Sequence, residues 1–103
     1  MLLVSVALAT GTAAAQDAAA GAKIFVDQKC SLCHSIAGKG NAKGALDDVG
    51  SKLSAADIRA WIEDAKGMTA KSGATRKPEM KAYTLEKADV DSLVAYMVTL
   101  KKK

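Results

Sequence analysis

Cys30 and Cys33 stand three residues apart and His34 follows at once, so Cys30-Ser31-Leu32-Cys33-His34 reads C-x-x-C-H. Two thiols one helical turn apart can each add to one of two neighbouring vinyl groups of a porphyrin. The next residue then reaches the iron from below as a neutral imidazole. The spacing is that of covalent haem attachment. Other chemistries fit less well. A structural zinc needs about four ligands, mostly Cys and His, and the chain holds two Cys and one His. A thioredoxin-like dithiol expects a strand-helix-strand setting. A disulfide between Cys30 and Cys33 closes so short a loop that it constrains little of the unfolded chain.

Elimination narrows the second axial ligand. With His34 the only His and no spare Cys, the candidates are one of four Met, a Lys, or an open position. Met1 lies in the leader described below, and Met97 falls within the apolar stripe of the last helix, the ordinary place for a core Met. Met68 and Met80 both fall in the stretch before that helix. Met80 comes two residues after the only proline, in Arg76-Lys77-Pro78-Glu79-Met80. Proline stiffens a loop that must hold a ligand on the iron, which favours Met80. The bland reading of either Met is a gap-filling core side chain. A six-coordinate His34/Met80 iron leaves no position for substrate, so the expected function is outer-sphere electron transfer between Fe(III) and Fe(II), and not catalysis. A thioether ligand favours the ferrous state. Two alternatives compete: an iron that loses Met80 and binds peroxide or a gas, and a haem-free redox dithiol.

The elements that must position these residues are helical. The first helix runs from about Ala18 to Lys29, with Gly21 and Phe25 four apart on one face. Gly38 to Asn41 and Lys43-Gly44 read as loop. Ser54-Ala55-Ala56-Asp57 is a capping-box start, and Ile58, Trp61, Ile62 and Ala65 give the helix that follows an apolar stripe, with Gly67 as its stop. A loop containing Met68, Gly73, Pro78 and Met80 is expected to about Leu85. The last helix is expected from Glu86 to Leu100, with Asp89 and Asp91 near its positive end and Val90, Leu93, Val94, Met97 and Leu100 on one buried face. No segment alternates as a strand, so the fold class is all-α.

The chain has 103 residues, enough for one domain, and only four aromatic side chains. A core so poor in large side chains needs something else at its centre. Leu2 to Leu8 is an apolar run too short to span a bilayer. Ala13-Ala14-Ala15 supplies an A-x-A site before Gln16, so residues 1–15 are expected to be a cleaved signal peptide, although no Lys or Arg precedes the run. Residues 16–103 then form the domain, exported to the periplasm, where haem attachment of this kind is carried out. A formal charge of +4 is a mild bias without interleaved aromatics, unlike a nucleic-acid binder. Lys29, Lys39, Lys43, Lys66, Lys71, Arg76, Lys77 and Lys81 come from segments flanking the motif. Several are expected to ring the haem edge and steer acidic partners, against the bland reading of a solvated surface. Nothing in the chain demands more than a monomer or stable membrane insertion.

With these residues in order, the chain resembles a class I c-type cytochrome of the small bacterial, monohaem, c-551/c-553-like kind, from about Ala18 to Leu100. The resemblance implies the cytochrome c fold, with three to four helices around one covalent haem c, and a role as an electron carrier between redox proteins. It implies that the first and last helices cross, with Gly21 and Phe25 meeting Tyr96 and Leu93. It places the Met ligand shortly before the last helix, at Met80, and puts Trp61 near a haem propionate, where a plain core Trp is the alternative. Many members carry Gly-Pro-x-Leu after the haem motif, where a backbone carbonyl holds the imidazole N–H. Here Lys43-Gly44-Ala45-Leu46 lacks the proline, and the carbonyl of Gly44 or Ala45 is expected to serve.

Overall fold

The computed structural model describes residues 13–101. The apolar run Leu2 to Leu8 of the expected leader lies outside them. The chain forms five α-helices among the described residues: α1 (Ala13–Asp27), α2 (Val49–Lys52), α3 (Ala55–Glu63), α4 (Ala65–Ser72) and α5 (Lys87–Val98). A minimal antiparallel hairpin, β1 (Ser35–Ile36) and β2 (Lys39–Gly40), lies between α1 and α2. The all-α class therefore holds, with a hairpin that the hydrophobic pattern did not reveal.

α1 and α5 cross at close range. Gly21 is buried, and a Cβ there would overlap the Ser92 carbonyl and stand 2.7 Å from Tyr96 Cβ, so only glycine lets the two backbones approach this far. One turn on, the Phe25 and Tyr96 rings meet edge to face, with centroids 6.3 Å apart and planes at 69°. This is the crossing that the resemblance implied. Phe25, Ile58, Ile62, Val90, Leu93, Val94 and Met97 form one buried cluster drawn from α1, α3 and α5. Four of these seven are the α5 stripe read from periodicity, and Met97 is a core residue as expected.

The middle of the chain differs from expectation. α3 starts as read, with the Ser54 hydroxyl accepting from the Asp57 amide at 3.1 Å. It does not continue to Gly67. Asp64 leaves helical geometry at φ −141° and ψ 56°, and its carboxylate accepts from the Gly67 amide at 3.2 Å, which caps a new helix, α4. Gly67 is therefore a first-turn residue and not a stop. α4 ends instead at Gly73, at φ 69°. Met68 consequently lies on a helix, not in the loop with Met80. The last helix is one residue shorter at its start than expected, and two shorter at its end. The Gly50 amide donates to the Leu100 carbonyl at 2.8 Å, tying α2 to the end of α5. Arg59 of α3 pairs with Asp91 of α5, which Lys87 also holds at 2.9 Å.

Candidate functional site

Lys29, at φ 59°, turns the chain out of α1 and into one turn of 3-10 helix, Cys30–Leu32. That turn closes the C-x-x-C-H motif on itself. The Cys33 and His34 amides both donate to the Cys30 carbonyl, at 3.1 and 2.9 Å. The hairpin then clamps the motif from the side. The Asn41 amide bridges the Ser31 and His34 carbonyls at 3.1 Å each, and the Asn41 side chain donates to the Leu32 carbonyl at 3.2 Å. Asn41 was read only as loop, and no local pattern in the sequence marks it as a clamp.

The imidazole is oriented by the segment after the hairpin. His34 Nδ1–H donates to the Gly44 carbonyl at 2.9 Å. A carbonyl only accepts, so this bond selects the Nδ1–H tautomer and leaves the Nε2 lone pair as the free donor of the ring. Of the two carbonyls expected, Gly44 is the one in place. Burial pushes the His34 pKa below its ordinary value, the Gly44 carbonyl opposes this, and the Arg76 charge adds to the lowering. Burial and the Arg76 charge thus favour the neutral ring, the form that ligates iron. Cys30 is half-buried and Cys33 exposed, both as free thiols. Burial chiefly pushes the Cys30 thiol up, with the Cys33 charge adding and the Cys30 backbone hydrogen bond and Lys81 opposing.

Cys30, Cys33 and His34 share the wall of a cavity of about 950 Å³, at the upper end of the range for cofactor and ligand sites. Its inner face is apolar, built by Phe25, Ile58, Ile62, Leu93 and Met97 of the core cluster. Met80 and Trp61 also line it, both half-buried, whereas Met68 does not. All the sequence-derived site residues therefore face one space. Several further wall residues carry no motif in the sequence, Tyr83 and Lys52 among them. Tyr83 lines the cavity, with its phenol pKa raised by burial and by the two Cys, and its amide donates to the Ile62 carbonyl at 2.8 Å, pinning the Met80 segment to α3. Its signal in the sequence was an aromatic residue three positions beyond the candidate ligand. Lys52 also lines the cavity and gave no signal.

Of the eight basic residues from which several were expected to ring the site, all are exposed, and Lys29, Arg76 and Lys81 line the cavity. Lys39, Lys43, Lys66, Lys71 and Lys77 do not, and Lys77 pairs with Glu79 at 2.8 Å. Lys81 Nζ stands 5.1 Å from the Tyr83 ring centroid. Among the described residues no three of His, Cys, Asp and Glu converge as a metal cage, and no helix is long and apolar enough to cross a membrane.

These residues fit a haem. The cavity is large and apolar, two thiols stand one turn apart on its wall, and a tautomer-fixed imidazole presents one free nitrogen. The comparisons agree. The family model described as Cytochrome c matches residues 18–101. No curated protein and no solved structure matches the chain.

Proposed function

The chain belongs to the cytochrome c family, haem-based electron carriers that exchange electrons with other redox proteins, and from that premise we propose that it is a monohaem carrier with His34 and Met80 as axial ligands. The observation that carries the reading is the shared cavity: Cys30, Cys33, His34 and Met80 all line it, and Met68 does not. A haem c bound there supplies a one-electron Fe(III)/Fe(II) couple.

The protein's own part in that chemistry is to hold and to shield. Cys30 and Cys33 would hold the porphyrin as two thioethers, since addition of each S–H across a vinyl C=C needs no oxidant. Gly44 keeps the His34 ring in register through its carbonyl. Met80 offers a soft thioether that favours the reduced metal. Phe25, Ile58, Leu93 and Met97 exclude water, which limits solvent reorganisation when charge moves. Trp61, half-buried on the same wall, would serve as an indole N–H donor to a propionate.

With both axial positions filled the protein is a carrier and not an enzyme. We place it in the periplasm as a monomer after removal of residues 1–15. Around the cavity the exposed Lys29, Lys52, Arg76 and Lys81 outnumber Asp47, Asp48 and Glu79, a mild basic excess that supports docking of partners with acidic surfaces through small, salt-sensitive encounters. The test is the absorption of the ferric protein. The reading expects a thioether-to-iron band that persists in wild type and in Met68→Ala and disappears in Met80→Ala. A band abolished by Met68→Ala, or a ferrous protein that binds carbon monoxide freely, would overturn the ligand assignment.

A further inference from the structure

Gly44 does more than lend His34 a carbonyl. A Cβ built on Gly44 would overlap a guanidinium nitrogen of Arg76 and the Cys33 carbonyl, and would stand 3.0 Å from His34 Nδ1. Three groups from three segments thus crowd one point: the Cys33 carbonyl and the His34 ring from the haem motif, and the Arg76 guanidinium from the segment that carries Met80. The position does not require a left-handed backbone, since Gly44 is absent from the positive-φ residues. Glycine is required by the Cys33 carbonyl, a backbone atom that cannot step aside, and the space it leaves open also receives the guanidinium. Arg76 also lines the cavity and acts electrostatically on His34.

We propose that Arg76 is a positioning residue for the proximal side of the site: seated in the notch at Gly44, its guanidinium covers the His34–Gly44 hydrogen bond and raises the reduction potential of the iron that His34 ligates. This rests on the haem reading above. A fixed cation beside the proximal ligand disfavours the oxidised state, which carries one more positive charge, and so favours uptake of the electron. The same contact ties the Met80 segment to the His34 side, so one residue links the two axial arms. Arg76 as a whole is exposed, so the effect is partly screened and weakens as salt rises.

The test uses the mature haem-loaded protein as wild type, Arg76→Gln and Arg76→Lys. Midpoint potential is measured at low and high ionic strength, and exchange of the His34 Nδ1–H is followed by NMR in the diamagnetic ferrous state. Arg76→Gln should shift the potential downward, more at low salt, and speed exchange of the ring N–H. Arg76→Lys, which keeps the charge but not the planar fork, should hold the potential closer to wild type. Unchanged potential and exchange in Arg76→Gln would overturn the proposal, as would equal downward shifts in both variants, which indicate packing and not charge. Failure of the haem reading is distinct: the wild-type protein then gives no pyridine haemochrome, and both readings fall.

Discussion

His34 Nδ1 lies 2.9 Å from the Gly44 carbonyl oxygen, a bond that spans ten residues and closes the loop between the haem motif and α2. It fixes which ring nitrogen carries the proton and which is left for the metal. Because Gly44 also makes room for Arg76 and the Cys33 carbonyl, Gly44→Ala strikes the same point twice. We expect Gly44→Ala to cost about 1–3 kcal/mol of stability by overpacking, and to lower the potential in the direction predicted for Arg76→Gln. Denaturant unfolding of the holoprotein, followed by haem absorption and by far-UV dichroism, measures the first effect.

Met80→Ala should retain haem, because the tether is at Cys30 and Cys33, but should lower the reduction potential as the thioether is lost. Met68→Ala should leave both spectrum and potential unchanged, since Met68 sits on α4 and does not line the cavity. Spectroelectrochemical titration of the two variants beside wild type decides the matter.

At Gly21 the α1–α5 crossing leaves no room for a methyl group beside the Ser92 carbonyl. Gly21→Ala is expected to destabilise the protein by about 1–3 kcal/mol, the cost of forcing extra atoms into a packed contact, despite the gain in helix propensity that alanine brings within α1. Loss of the 6.3 Å Phe25–Tyr96 ring contact in the variant, seen in near-UV dichroism, would accompany it.

Asp91 makes stability depend on pH. Its carboxyl is held below the ordinary 3.8, first by the hydrogen bond from Lys87 and then by that from Arg59. A carboxyl whose folded pKa is depressed stabilises the fold above its unfolded pKa, and that contribution is lost as pH falls through the folded value. Asp91→Asn should therefore be less stable than wild type at neutral pH, with the gap closing below about pH 4. Urea midpoints of the two proteins at neutral and strongly acid pH test this, and a gap that persists in acid would mean the ion pair is not its source.

Much of the site was legible because its chemistry is local. C-x-x-C-H must be contiguous to serve two vinyl groups and one iron, so its five residues announce themselves. Ser54 and the Val90, Leu93, Val94, Met97 stripe were equally plain, since capping and helical periodicity are read within one or two turns. The split at Asp64 is harder to read, because Gly67 matches a C-terminal stop as well as it matches a first-turn residue behind an Asp N-cap. β1 and β2 escaped notice because strands of two residues are too short to alternate. Arg76 against Gly44 is a contact between residues distant in the chain, made by the folded loop, and no spacing rule reports it.

His34→Ala should yield little stable holoprotein, because the iron then has no proximal ligand, and what forms without haem should be less helical, since Phe25, Leu93 and Met97 then face an unfilled cavity. Haem staining and far-UV dichroism of the same preparation separate loss of cofactor from loss of fold.

The most direct test of the account is whether porphyrin stays on the chain. Purified mature protein is denatured, extracted with acidified organic solvent and assayed by pyridine haemochrome, beside a Cys30→Ala, Cys33→Ala double variant. The account predicts one haem per chain, retained by wild type after extraction and absent or fully extracted from the double variant. A wild-type protein that is colourless and iron-free, or that gives up all its haem to the solvent, would contradict it.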